Sequence, residues 1–331
     1  MAGEKVTRRK VRLSTESWDF ESPFTITGYT FSVADLLHVV IEENGVLGHG
    51  EAAGVYYLLE TGASMLAQVE SVRSTLEQGA GRDELRGLLP AGGARNAIDC
   101  ALWDLEAKLK HESIWALTGI EPGVTETVMT IGIDAPEAMA KKAALLDSTK
   151  IKVKLNDELP LERIAAVCAA RPDAEIVVDV NEGWTFEQLV ELAPRFKDLG
   201  VAMIEQPLPR GGDAELEHYD SPITLCADES CIDTSEFEQA SRRYHMINIK
   251  LDKAGGLTEA LDLAGMAKAK GIELMVGNMP GTSLAMAPGY VIAQLCRFVD
   301  LDGALFLTRD RENPMTYSGG IVSQPSTQLW G

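Results

Sequence analysis

The residues best placed to do chemistry in this 331-residue sequence are lysines and carboxylates that close short apolar runs. In Ile151-Lys152-Val153-Lys154-Leu155 apolar and cationic residues alternate, so on a strand Lys152 and Lys154 share one face. Met246-Ile247-Asn248-Ile249-Lys250-Leu251 repeats the pattern with Asn248 and Lys250. Between these runs, Ile176-Val177-Val178 ends in Asp179, Ala202-Met203-Ile204 in Glu205, and Leu225-Cys226-Ala227 in Asp228, each about one strand-helix unit from the next. Alone, lysines on a strand suit an exposed sheet edge, and an acid after a strand suits a helix cap. Three acids in register would instead crowd like charges together, and a hard divalent cation with octahedral oxygen ligation, magnesium, resolves that crowding. Lys154 and Lys250, opposite each other in an eight-stranded ring, would reach a substrate from two faces. That arrangement points to proton transfer, with partial burial and the neighbouring cation expected to lower the lysine pKa values and free one amine as a base. Asp300-Leu301-Asp302 adds a second acid pair suited to a substrate ammonium, although Asp-x-Asp-Gly is also a turn motif.

The elements that must position these groups follow from periodicity. Residues 5 to 13 and 33 to 43 alternate as strands, with Glu43-Asn44-Gly45 as a turn into a third. Residues 62 to 78 and 93 to 110 read as helices, and Trp103 falls in the core of the second. Strands are predicted near 127 to 133, 150 to 155, 175 to 180, 201 to 205, 222 to 227, 245 to 251, 272 to 277 and 298 to 302, separated by helical patterns. Eight such units suggest a closed parallel barrel with its functional groups at the C-terminal strand ends; a doubly wound open sheet is the alternative. No GxGxxG or GxxxxGK[ST] stretch supports a nucleotide site.

The bulk composition, with 45% hydrophobic and 24% charged residues, is globular, and the length suggests one large and one smaller domain. A net charge of −20 disfavours nucleic acid and anionic membranes as partners. Five cysteines without CxxC spacing argue against a disulfide framework or zinc site and fit a reduced cytoplasm. No apolar segment follows the basic residues from Lys5 to Arg12, and no run has membrane-spanning length.

An ordered set of motifs spans nearly the whole chain. It comprises Ala94-Arg95-Asn96-Ala97 through Ala101-Leu102-Trp103-Asp104, Lys152-Val153-Lys154, Asp179-Val180-Asn181-Glu182, Glu205-Gln206-Pro207-Leu208-Pro209, Ala227-Asp228-Glu229-Ser230 and Asn248-Ile249-Lys250-Leu251-Asp252-Lys253-Ala254-Gly255-Gly256. With these motifs the sequence resembles the enolase superfamily, muconate lactonizing subgroup, and within it the dipeptide epimerases of the L-Ala-D/L-Glu type. The resemblance implies a modified (β/α)7β barrel over residues 121 to 304 and an α+β capping domain over 1 to 120, with 305 to 331 packing back on it. It implies Mg2+ on Asp179, Glu205 and Asp228, Lys154 and Lys250 on either side of a dipeptide's α-carbon, and Lys152 near the substrate carboxylate. Asp300 and Asp302 would bind the free amino group, Asn278, Thr282 and Tyr29 would contact substrate, and Lys253 would be structural. A homo-oligomer is compatible with this reading. The same scaffold also carries cycloisomerases and lyases, such as muconate lactonizing and o-succinylbenzoate synthase activities, and N-acylamino acid racemases; a non-catalytic metal-binding barrel is the remaining alternative.

Two departures bear on substrate. Ala-Glu enzymes of the family place an arginine in an N-terminal loop, whereas residues 23 to 31 here read PFTITGYTF, and no Lys or Arg occurs between Arg12 and Arg73. Gly277-Asn278-Met279-Pro280-Gly281-Thr282 likewise lacks the Cys-Met pair and following acid of many relatives. Loops carrying Glu16, Trp18, Asp19, Glu21, Tyr29, Phe31, Tyr56 and Tyr57 are therefore expected to admit hydrophobic or cationic side chains, unless Arg297 or Lys253 reaches the pocket.

Overall fold

The computed structural model describes residues 9–331, so the start of the first expected strand, residues 5 to 8, lies outside the described residues. Three antiparallel strands, β1 (Lys10–Ile26), β2 (Tyr29–Glu43) and β3 (Val46–Ala53), form a meander. Asn44 and Gly45 both take positive φ (54° and 81°) in the β2–β3 turn, the backbone that lets two antiparallel strands keep their twist through a two-residue loop. The stretch expected as a loop, 23 to 31, is instead the far end of the β1–β2 hairpin, with Phe24 paired to Phe31 and Ile26 to Tyr29. Pro23 masks this in the sequence; it falls within a register break between Asp19 and Phe24, where a missing N–H costs no ladder bond.

Three helices follow: α1 (Gly62–Glu77), α2 (Arg82–Leu88) and α3 (Gly93–Lys110). Thr61 and Ser64 cap α1 reciprocally. The α3 helix lies so close to β3 that a Cβ on Gly48 or Gly50 would stand 2.2 or 2.0 Å from the carbonyls of Ala101 and Ala97. Trp103 is buried, as its place on the apolar stripe implies.

After α4 (Ile114–Thr118) and β4 (Thr125–Glu126), the parallel strands β5 (Met129–Ile131), β6 (Lys150–Lys154), β7 (Glu175–Asp179), β8 (Val201–Glu205), β9 (Thr224–Ala227), β10 (Met246–Lys250), β11 (Glu273–Gly277) and β12 (Phe298–Val299) neighbour one another in chain order. Their helices are α5 (Pro136–Leu145), α6 (Pro160–Ala170), α7 (Phe186–Asp198), α8 (Phe237–Arg243), α9 (Leu251–Ala254), α10 (Leu257–Lys270) and α11 (Ser283–Ala293). The Val128 N–H donates to the Val299 carbonyl at 2.7 Å and joins the two ends of the sheet, which decides for a closed barrel over an open sheet. The eighth strand is shorter than expected: the chain leaves strand geometry at Asp300. Inside, Val177, Met203, Cys226, Met246, Met275 and Phe298 fill one apolar layer. The C-terminal segment adds β13 (Tyr317–Ser318) and β14 (Ile321–Val322) against β4, and Trp330 donates to the Cys100 carbonyl of α3. Among the described residues no helix is long and apolar enough to cross a membrane.

Candidate active site

Above the apolar plug, the same inward parity brings charged residues together. Lys152 and Lys154 of β6 alternate with the fully buried Ile151 and Val153, and the strand-end acids Asp179, Glu205 and Asp228 are all fully buried. Lys154 Nζ donates to Asp179 and, at 3.1 Å, to Asn181 Oδ1; across the ring, Lys250 Nζ donates to Asp228. Three strands, β7, β8 and β9, separate these two lysines along the sheet, so they stand on opposite sides of the mouth. Gly277 pairs with Lys250 in the neighbouring strand and leaves space for the lysine tail.

Lys152 Nζ donates to Asp300 Oδ2 at 2.7 Å and lies 2.8 Å from Glu205 Oε2 and 3.0 Å from Asp179 Oδ2. Its direction serves Asp300, so Glu205 Oε2 keeps no hydrogen-bond donor although it is buried. Asn248 Nδ2 donates to the other Glu205 oxygen at 2.7 Å, and Lys253 holds Asp228 Oδ1 at 2.7 Å, a structural task. With ammonium groups standing between the acids, no three His, Cys, Asp or Glu side chains among the described residues close on one metal-binding point. The donor set nevertheless suits a hard cation: three carboxylates on adjacent strands, one with an orphaned buried oxygen, are the ligand chemistry of magnesium.

The protein's own carboxylates pull against the lowering expected beside a bound cation. Burial alone would lower the Lys250 pKa, but the Asp228 and Glu205 charges outweigh it and hold the ammonium above the usual lysine range; Lys152 is held up in the same way by Asp300, Glu205 and Asp179. The acids divide. Burial raises Asp179, but Lys154 and Lys152 overcome it and bring it to about 2, and Lys250 and Lys253 hold Asp228 lower still. Glu205 goes up, through burial and the Asp179 charge.

A cleft sits over this floor. Lys250, Asn181, Asn278, Asp300 and Asp302 face it, as do Thr130 and an aromatic roof of Phe24, Phe31, Tyr56, Tyr57 and Phe306. Asp302 accepts from the Thr130 N–H at 2.8 Å; burial and the adjacent Asp300 charge push its pKa well up. Asn278 donates to the Asp300 carbonyl. Two expected substrate contacts are placed elsewhere. The buried Thr282 hydroxyl caps α11 and bonds Glu51, and Tyr29, 46% exposed, stacks on Tyr56 and lines the adjoining crevice. Sequence reasoning missed Asn181, Thr130, Phe24 and Phe306. Asn181 alone carried a signal, as the residue two past the strand-end Asp179.

Residues 8–119 match the model of the mandelate racemase / muconate lactonizing enzyme N-terminal domain, and residues 135–326 that of the enolase C-terminal domain-like family. The L-Ala-D/L-Glu epimerase of Escherichia coli is 43% identical over 316 residues, 94% of this chain and 98% of that protein. An enolase family member from Agrobacterium tumefaciens, crystallised with sodium and L-Ala-L-Glu, superposes with a TM-score of 0.95 at 38% identity, covering 98% of this chain and 100% of that one. The dipeptide epimerase of Enterococcus faecalis, crystallised with Mg and L-Leu-L-Tyr, gives a TM-score of 0.89 at 26% identity over 98% of this chain and 99% of that one. This chain belongs to the enolase superfamily, in the mandelate racemase / muconate lactonizing enzyme family.

Proposed function

We propose that the chain is a magnesium-dependent dipeptide epimerase that inverts the α-carbon of the C-terminal residue by proton transfer between Lys154 and Lys250. The observation that carries this reading is the pair of lysines on opposite sides of the mouth, with Lys250 and the Asp300–Asp302 pair on one cavity. One lysine, as the neutral amine, takes the α-proton; the C–H electron pair moves into the substrate carboxylate to give an enediolate. The other lysine, as the ammonium, returns a proton to the opposite face. Asp179, Glu205 and Asp228 would hold Mg2+, whose charge offsets that of the carboxylate and of the acids that otherwise keep the lysines protonated. Lys152 is a fixed cation for the same carboxylate charge. Asp300 and Asp302 receive the free amino group by charge-assisted hydrogen bonds, which a muconate-type cycloisomerase has no use for.

The substrate's C-terminal side chain is read as apolar. Lys250 is the only Lys or Arg on the cavity wall among the described residues. Arg297 pairs with Glu273 at the far end of the barrel and Lys253 holds Asp228, so neither supplies a counter-charge. The cationic option loses its partners as well: Glu16 is bound by Arg311, and Asp19 and Glu21 are exposed and off the wall. A glutamate side chain would therefore give up hydration for aromatic contact, while a leucine or phenylalanine gains burial.

Epimerisation of L-Ala-L-Phe, L-Ala-L-Leu and L-Ala-L-Glu in deuterated water tests both levels. Incorporation of α-deuterium into no dipeptide ends the epimerase reading. Incorporation with Ala-Glu best by kcat/KM ends only the apolar one; the expectation is Ala-Phe or Ala-Leu ahead by about tenfold, about 1.4 kcal/mol of transition-state discrimination. An N-acetylated dipeptide turned over as fast as the free one would favour an N-acylamino acid racemase.

A further inference from the structure

Two carboxylates that this chemistry does not use are buried where cap and barrel meet. Glu51, near the end of β3, accepts from the Thr282 N–H and hydroxyl at 2.8 Å each and from Arg311 Nε at 2.9 Å and Nη2 at 2.6 Å. Asp252 stands two residues past Lys250 and accepts from the Ala53 N–H and from Asn96 Nδ2 at 3.1 Å each, while the Met279 N–H lies against the same carboxylate. These contacts close a ring. Glu51 and Ala53 share β3, Met279 and Thr282 bound the loop after β11, and the two carboxylates tie the segments to each other. Apolar residues would fill such a joint at lower desolvation cost, so what the carboxylates add is direction: each N–H has one place to point.

The ring borders one side of the chamber. Tyr56 and Tyr57 follow Ala53 after Gly54 and Val55, Asn278, Met279 and Pro280 lie in the loop, and Asp252 stands in α9, which begins where the strand that carries Lys250 ends. The Lys154 side is tied differently, through Asn181 and through the Thr27 hydroxyl, which reaches the Leu155 and Val180 carbonyls at 2.9 Å. We propose that Glu51 and Asp252 are positioning residues that hold the roof in register with Lys250, and so govern proton transfer on that face and not on the Lys154 face. The proposal goes beyond the epimerase reading, and half of its test needs no substrate.

The test uses Asp252→Asn and Glu51→Gln, close in shape to the native side chains, with Lys250→Ala as reference. Amide hydrogen exchange on the free protein is expected to quicken about tenfold together in residues 53–57 and 278–282, with residues 155 and 180 unchanged. Loosening of one segment without the other overturns the ring. Deuterium wash-in is then followed into each recovered diastereomer of L-Ala-Phe. The diastereomer whose wash-in Lys250→Ala abolishes should slow about tenfold in both variants, since small misplacements of reacting groups carry costs of that order. The other diastereomer should stay within about twofold of the native rate. Equal slowing of both would mean general loosening and overturn the proposal, as would no slowing of either.

Discussion

The floor and the roof of the chamber are built by different means. The floor consists of strand ends in one parallel ladder, where every cation touches an acid: Lys154 on Asp179, Lys250 on Asp228, Lys152 on Asp300. The roof is a hairpin end, a short loop and a C-terminal segment, held by aromatic contacts such as Phe24–Phe306 at 4.6 Å and Tyr29–Phe31 at 4.5 Å between ring centroids. Charges must be fixed to serve a developing charge, and strands packed on both faces fix them; side-chain recognition tolerates adjustment, and loops supply it. Reaction and selection thus reside on separate parts of the chain, and substitutions should separate them.

The largest effect is expected in the floor. Lys154→Ala and Lys250→Ala should each reduce epimerisation by about 10²- to 10⁴-fold, with each variant still exchanging the α-proton of one diastereomer, read by NMR in deuterated water. Both variants exchanging the same diastereomer would contradict the two-sided floor. Next, chelation should abolish turnover and Mg2+ restore it; independently of activity, saturating Mg2+ should raise the thermal midpoint of the native enzyme and not that of Asp228→Asn. Asp302→Asn, on the border between floor and roof, should lower kcat/KM for free dipeptides by about 10- to 100-fold, about 1.4 to 2.7 kcal/mol, and leave an N-acetylated analogue unaffected. In the roof, Phe31→Arg should leave the Ala-Ala rate within about threefold and shift the Ala-Glu to Ala-Phe ratio about tenfold toward glutamate. A collapse of all rates there would show that the roof also carries chemistry.

The smallest expected effect concerns stability, away from both surfaces. His38 of β2 is held neutral, its pKa lowered to about 4 by burial and by the Arg311 charge, against the opposing pull of Glu16. The unfolded chain binds this proton near pH 6.5 and the folded one only near 4, so the contribution is complete above about 6.5 and is lost as the pH falls through that window. Urea unfolding of His38→Gln across pH 4 to 7 should show a shallower acid limb. An unchanged slope would mean that the histidine protonates in place.

The floor was legible in the sequence because strand parity is a local rule: once the apolar runs are read as strands, the inward residues follow. The roof was not. Phe306 meets Phe24 from the other end of the chain, and the hairpin that presents Phe24 and Phe31 pairs across a register break that hides it. Thr282 looked available until Glu51, far away in sequence, took its hydroxyl. The pull of the protein's own carboxylates on Lys250 was hidden for a related reason, since burial is readable from an apolar strand, but its contest with particular carboxylates depends on distances that only the fold sets.

Gly277 shows what this packing means for change over generations. A Cβ at that position would stand 2.8 Å from both amide heteroatoms of Asn248 and 3.0 Å from Lys250 Cε. Any larger residue would displace the base, or the amide that orients Glu205, without touching a functional group of its own. A population exploring new substrates therefore finds this site closed, although it carries no chemistry. Its open routes lie in the roof, where a ring can be exchanged for another side chain and the floor still turns over.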